Sequence, residues 1–434
     1  MHFKFLIIFI LCNVIFCQAQ LNRAIGEELL FGSSRSYAMG LTNSTNANNS
    51  SLIRSNPSLL KFISKDNKPF FDFQMNINAI SERRSILVKD FFGDFLTYAD
   101  YANNNNSYNY FQGGVITNLN NFIGLGISFL PLTSFNYDYI EEVRGSTDIE
   151  DGDIGLKDPL EGYHKFSSKG SLHTVSIGMS YSTVVEKSSQ FNLGIGLHQI
   201  LNTTITDEYG VDTLTSDFEN LSLVNDYYSK ESFKDLGYFY SLGLSFINNE
   251  FLFSLNIEPG LLIQTDNYSS YNFIDSLGII SYLDDSNTNF IVRGLNYYKP
   301  EKLCVGLSYS PRDNSDLTMT SEIEYNRLYQ HPYLTGSYYT YKFGFEYLLP
   351  SKTPIRSGLI YKKAPIELLP DQAIVTFGTG GQYKNTFYDI GCSYTFFDYY
   401  YPTLFLVNNQ EYSNFDKITD SKLNFIISLR YLFK

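Results

Sequence analysis

The chain has 434 residues and a formal net charge of −13, which repels phosphate and excludes nucleic acid as a main partner. It carries 36 Tyr, 36 Phe and no Trp, but only four Cys, too few for a disulfide scaffold. Such aromatic content beside a slightly negative mean hydropathy requires apolar and polar positions to alternate, as in a membrane β-barrel with lipid outside and water inside.

The first element is a secretory signal over residues 1–19. Lys4 supplies the charged n-region, Phe5 to Phe16 the short apolar core, and Cys17-Gln18-Ala19 the small residues at −3 and −1 before Gln20. A lipoprotein reading would acylate Cys17, but the bulky Phe16 stands where a small residue is expected. Cleavage removes Cys12 and Cys17 and leaves Cys304 and Cys392; loss of Lys4 takes the charge from −13 to −14. No later stretch approaches the roughly 20 apolar residues of a membrane helix.

Residues 20–66 include "SRSYAMGLTNSTNANNSSLIRSNPSLL", which has neither strand alternation nor a helical apolar stripe. Two readings stay open: a disordered tail, from composition, or a compact plug inside a barrel, where irregular backbone is satisfied by inward polar side chains. The apolar anchors Leu29-Leu30-Phe31, Leu52-Ile53 and Leu59-Leu60 favour the plug. Arg35 is then either solvated or paired with an inward carboxylate such as Asp72, Glu346 or Asp389, because a buried charge requires a partner. The Asn56-Pro57 step fixes a turn.

Residues 67–434 read as strands. In "FFDFQMNINA" Phe71, Phe73, Met75 and Ile77 face one way, and Asp72, Gln74, Asn76 and Asn78 the other. "FIGLGISFL", "HTVSIGMSYS", "FNLGIGLHQI", "YFYSLGLSFI", "FLFSLNIE", "KLCVGLSYS", "YKFGFEYLL", "IRSGLIYKK" and "FYDIGCSYTFF" repeat the pattern, with small residues on the inner parity that are expected to leave lumen space and let the strands bend. In the closing "KLNFIISLRYLFK", every second residue back from Phe433 to Leu423 is apolar, as a final strand with one face to lipid requires. Short polar turns at 118–121, 186–190, 248–250, 311–316, 350–354 and 384–386 alternate with long segments at 131–170, 201–235, 261–300 and 400–420 and shorter ones near 81–107, 326–337 and 364–371. Outer-membrane barrels keep short turns in the periplasm and long loops outside, which orients the chain and gives about fourteen strands.

Chemistry is sparse along this stretch. None of His164, His173, His198 and His331 has metal-ligand spacing with another, no Gly-x-Ser-x-Gly elbow occurs, and no cofactor motif is present; the expectation is a non-enzyme without metal or cofactor. The acidic run "IEEVRGSTDIEDGDIG" fails the EF-hand spacing and reads as a solvated loop. Cys304 and Cys392 fall on opposite parities, inner and outer, which predicts two free thiols.

Several segments together resemble the FadL/TodX outer-membrane transporters and their PorV-like relatives. Arg35, Met39, Gly40, Asn56 and Pro57 match the N-terminal hatch pattern of that family, although Ser58 stands where Ala is usual. "YKPEKLCVGLSYSP" resembles a family strand through Pro300, Gly306 and Tyr309. "TPIRSGLIY" resembles another through Pro354, Arg356, Gly358 and Tyr361, and the Gly-rich hairpin after it carries Asp389. The resemblance implies an all-β, fourteen-stranded transmembrane barrel with the hatch, residues 20–66, in its lumen and residues 67–434 as the wall.

Phe218, Leu221, Tyr227, Phe273 and Leu277, in the long external segments, form either an apolar entrance for a lipid-like ligand or part of the aromatic girdles of the barrel. The leading functional expectation is outer-membrane uptake of a hydrophobic small molecule, of long-chain fatty acid or aromatic hydrocarbon type, in a surrounding of outer-membrane lipids. The resemblance also allows a PorV-like partner of a secretion system that binds exported proteins. A general porin fits less well, because a hatch would block free diffusion.

Overall fold

The computed structural model describes residues 26–63, 68–90, 92–144, 160–186, 189–201, 204–214, 227–233, 237–272, 296–312, 316–328, 336–364, 369–401 and 416–433. The chain begins with a two-residue strand, β1 (Glu27–Glu28), and three short helices, α1 (Ser34–Ala38), α2 (Asn43–Asn46) and α3 (Leu52–Ser55). A 3₁₀ helix, Pro57–Phe62, follows.

Three long strands come next: β2 (Phe70–Lys89), β3 (Phe95–Asn118) and β4 (Ile123–Ser134). The middle of the chain supplies β5 (Tyr137–Arg144), β6 (Leu160–Lys169), β7 (Ser171–Glu186), β8 (Ser189–Ile200) and β9 (Thr204–Thr213). After these come β10 (Tyr227–Phe233), β11 (Tyr238–Asn248), β12 (Phe251–Glu258), β13 (Leu261–Asn272) and β14 (Asn296–Lys299). The last third is β15 (Glu301–Tyr309), β16 (Leu317–Arg327), β17 (Ser337–Leu348) and β18 (Pro354–Lys362), then β19 (Gln372–Tyr383), β20 (Thr386–Tyr401) and β21 (Asp416–Leu432).

Fourteen of these strands close a barrel, in the order β4-β3-β2-β21-β20-β19-β18-β17-β16-β15-β12-β11-β8-β7, with β7 paired back to β4. Closure of the chain's two ends is antiparallel, from Phe70 opposite Leu432 to Ser85 opposite Lys417. A closed ladder leaves no unpaired edge, which is what a sheet in lipid needs. The alternation in sequence becomes the alternation of faces. Phe71 and Phe73 are exposed on the outside while Asp72 and Gln74 are buried inside, and Leu429, Ile427 and Phe425 are exposed while Ser428 and Ile426 are buried. Cys304 is buried on the inward parity and Cys392 lies on the outward one; both thiols are free.

The segments expected to be loops depart from that reading: most of 81–107 extends β2 and β3, and the long segments hold further strands. Six strands there form a second antiparallel sheet, β14-β13-β10-β9-β6-β5, which continues β15, β12, β11, β8, β7 and β4 past the barrel's long-connection end. Pro131, Pro259 and Pro300 lie at or beside three of the junctions, and a residue without an N–H interrupts the ladder where one sheet hands over to the other. A core of Leu132, Phe135, Leu172, Ile200, Ile205, Phe239, Ile263 and Tyr297 packs at this handover. The acidic run is corrected in part. Glu141 is buried in β5, where it accepts from Tyr139 Oη (2.6 Å) and contacts His164 Nδ1 at 2.8 Å. Residues 145–159 of that run, and the signal segment 1–19, lie outside the described residues.

Candidate functional site

The small residues on the inward parity do not leave open space, because the backbone of residues 33–60 runs against them. A Cβ on Gly358 would sit 2.1 Å from the Gly40 nitrogen, and one on Gly344 2.2 Å from the Met39 carbonyl oxygen. One on Gly196 would sit 2.2 Å from the Ile53 oxygen, and one on Gly306 2.7 Å from Thr45 Cγ2. Gly40 is constrained twice: its φ is +70°, and a Cβ would lie 2.2 Å from the Phe343 oxygen. Ala47, Leu52, Ile53, Leu59 and Leu60 pack with Ile116 of the wall, and Tyr37 and Leu41 pack with Ile360, Ile374 and Ile426. Burial of each of these Leu and Ile side chains contributes about 1.5–3 kcal/mol.

Polar contacts place the segment as firmly. Ser33 caps α1 by accepting from Ser36 N (3.1 Å), and Met39 closes the helix with its N–H on the Arg35 carbonyl (3.2 Å). Asn56 donates to the Ser44 carbonyl (2.7 Å) and accepts from Ser58 Oγ (2.6 Å), while Pro57 opens the 3₁₀ helix. Tyr37 Oη meets Ser393 Oγ at 2.5 Å, and its burial pushes the phenol up from its ordinary pKa.

Three charged clusters join the segment to the wall. Nearest the short turns, Arg35 forks onto Glu346, with Nε to Oε2 at 3.0 Å and Nη2 to Oε1 at 2.6 Å. Arg356 bridges Glu346 and Asp389, each at 2.6 Å, and Arg430 donates to Asp389 (2.6 Å) and to the Asn48 carbonyl (3.2 Å). Burial by itself would lower the pKa of Arg35; Glu346 and Asp389 reverse the sign and hold it above its ordinary value. Asp72 is nearby in the wall but accepts from Ser50, at N (2.8 Å) and Oγ (2.9 Å).

The second cluster lies at the handover between the two sheets, where Glu258 stands opposite Lys302 across β12 and β15. Arg54 forks onto Glu258 with both contacts at 2.9 Å, and Lys299 reaches the same carboxylate at 2.6 Å. The Arg54 guanidinium lies 4.3 Å from the Phe31 ring centroid, and Lys299 Nζ lies 4.4 Å from that of Phe239.

In the third cluster, at the same end, the polarity is reversed. The segment supplies carboxylates and the wall supplies lysines. Glu27 Oε1 holds Lys422 at 2.6 Å; Glu28 contacts Lys302 directly and Lys362 at 3.6 Å. Glu324 sits behind them, 3.7 Å from Lys302 and 2.6 Å from Lys342. Both glutamates belong to β1, which pairs with Thr133 and Ser134 of β4. A cavity of about 160 Å³ opens beside β1, lined by Leu29, Leu30, Leu132, Tyr297, Tyr338 and Ile374 among others, with Lys302, Lys362 and Lys422 in its wall.

Sequence-predicted residues thus divide. Arg35, Met39, Gly40, Asn56, Pro57, Gly306, Arg356, Gly358 and Asp389 lie on the contact between segment and wall. Pro300 marks the junction of β14 and β15 and lines the cavity. Tyr309 stacks on Phe251 (4.8 Å between centroids), and Tyr361 donates to Asp371 at the exposed rim of β18; neither lines the cavity. Phe218, Leu221, Phe273 and Leu277 lie outside the described residues, as does the side chain of Tyr227. Sequence reasoning missed Glu27, Glu28, Arg54, Glu258, Lys299, Lys302, Lys362 and Lys422. An ionisable residue on the inward parity of a strand was the available signal for Glu258, Lys302, Lys362 and Lys422.

The architecture is therefore a closed fourteen-stranded antiparallel barrel whose inward faces pack against an N-terminal segment of short helices. No family model matches the sequence, and no curated protein matches it. Solved structures share the fold at low sequence identity. A FadL homologue of Pseudomonas aeruginosa is 11% identical, with 94% of this chain and 100% of that chain covered and a TM-score of 0.54. The toluene transporter TodX of P. putida is 14% identical (93% and 98% covered, TM-score 0.54), and the toluene transporter TbuX of Ralstonia pickettii is 14% identical (93% and 98%, TM-score 0.52).

Proposed function

We propose that this protein takes hydrophobic small molecules across the bacterial outer membrane, through a barrel plugged by its own N-terminal segment. In this reading residues 1–19 are a cleaved export signal, residues 20–66 the hatch and residues 67–434 the wall. The short turns face the periplasm and the second sheet faces outward. One observation carries the reading: residues 33–60 pack onto the inward glycines of the wall, and the cavity lies on the long-connection side of that packing. Water-soluble solutes would find no free bore through such packing. An apolar molecule partitions from water into a site walled by Leu29, Leu132, Tyr297 and Ile374, then passes when the segment shifts. Fatty-acid and aromatic-hydrocarbon ligands both suit this logic, and the shared fold with toluene transporters supports it by analogy.

Native mass spectrometry of the detergent-purified protein, followed by lipid extraction, tests the reading. A co-purifying apolar ligand, retained by the full chain and lost on deletion of residues 20–60, is the expected result. A ligand-free barrel that arrives with a stoichiometric protein partner overturns it.

A further inference from the structure

The cavity has an unusual wall for an apolar ligand site. Lys302, Lys362 and Lys422 come from three different strands, β15, β18 and β21, and all point inward at one level. Lys362 interacts electrostatically with Lys422, Glu27 and Glu324, and Lys302 with Lys362 and Glu324, so the three ammonium groups belong to one field. Two carboxylates on adjacent residues of the N-terminal strand, Glu27 and Glu28, sit on that field. The strand that delivers them is only two residues long, and each residue pairs with one residue of β4. With β1 in place the cavity is about 160 Å³, below the roughly 300 Å³ at which ligand pockets begin.

We propose that Lys302, Lys362 and Lys422 are the headgroup site for an amphiphile with two negative charges on its head, and that Glu27 and Glu28 are placeholders which that head displaces. The inference rests on the uptake reading and specifies its ligand. A neutral hydrocarbon has nothing to exchange for the Glu–Lys contacts it would break. A single carboxylate replaces one glutamate and leaves the other in place. A dianionic head replaces both, and its chain takes the space that Glu27–Leu30 vacates beside Leu132, Tyr338 and Ile374. The chemistry is common to a phosphomonoester, with charge near −2 at neutral pH, and to a geminal dicarboxylate.

Isothermal titration calorimetry on the full-length protein in a nonionic detergent, with dodecyl phosphate, dodecylmalonate, laurate and dodecanol, tests this. Both dianions are expected to bind at least tenfold tighter than laurate, with dodecanol weakest. A preference for only one of the two dianions identifies phosphate or dicarboxylate as the source and supports the proposal. Glu27→Gln/Glu28→Gln is expected to tighten dianion binding at least threefold, because the internal competitor has lost its charge. Lys362→Gln, whose glutamate contact is the longest of the three, is expected to narrow the dodecyl phosphate to dodecanol ratio at least threefold while the barrel keeps its heat-modifiable mobility in gels. Equal affinities for dodecanol and both dianions overturn the headgroup site and leave uptake standing; no binding of any of the four probes overturns both. Unchanged or weaker dianion binding in the double glutamine variant overturns the placeholder role.

Discussion

The two ends of the N-terminal segment are held to the same wall by opposite chemistry. At the short-turn end the segment gives a cation, Arg35, and the wall gives carboxylates in a chain that runs Glu346, Arg356, Asp389, Arg430. At the long-connection end, beside the Arg54–Glu258 fork, the segment gives carboxylates, Glu27 and Glu28, and the wall gives lysines. Guanidinium forks are planar and bidentate, so each contact fixes direction as well as distance. An ammonium is a compact point charge on a long stem, and one anion exchanges for another there with little change in geometry. The steric surroundings differ likewise. Gly40 lies wedged between the backbones of Phe343 and Gly358, whereas β1 lies beside a cavity. The Arg35 end is thus the anchor and the Glu27 end the exchangeable latch.

Substitution at the anchor should cost the most. Glu346→Ala removes the carboxylate shared by Arg35 and Arg356 and leaves two largely buried guanidinium groups competing for Asp389. The expected cost is about 3–5 kcal/mol of stability, read as a lowered thermal midpoint in detergent; a loss no larger than that of the latch variant would remove the distinction between the two ends. Gly358→Val tests the steric half of the anchor. Its side chain would meet the Gly40 nitrogen and force the segment off the wall, an overpacking cost of about 1–3 kcal/mol. The measurement is again the thermal midpoint, with limited proteolysis after Arg35 or Arg54 to report release of the segment. The smallest effect belongs to Glu27→Gln/Glu28→Gln. These contacts are partly solvated, so their net contribution is about 0–1 kcal/mol. Raising salt should erode that difference from wild type, while the Glu346→Ala penalty, being buried, should change less.

Much of the barrel was legible in sequence because lipid imposes a local rule. Along β2 and β21 one parity must be apolar, so Phe71, Phe73, Phe425 and Leu429 announce their faces without reference to anything distant. The second sheet was not legible for the same reason in reverse. Strands such as β6, "LEGYHKFSSK", have no lipid face, so both parities carry polar residues and the period of two fades. In the N-terminal segment, the N-cap Ser33 and the Asn56-Pro57 step are local devices that sequence displays directly. That Arg35 selects Glu346 over Asp72 or Asp389 is not local; all three carboxylates share the inward parity, and strand stagger decides which one reaches the segment.

The sequence by itself thus determined the alternation, the short turns and the number of barrel strands, because each follows from neighbours a few residues apart in a uniform apolar solvent. Only the tertiary structure decided which inward glycines meet which backbone and which lysines share a field. Closing a sheet on itself also sets residues 274 and 395 positions apart side by side, as Glu28 is set against Lys302 and Glu27 against Lys422. That stagger is a property of the closed ring, and no single strand contains it.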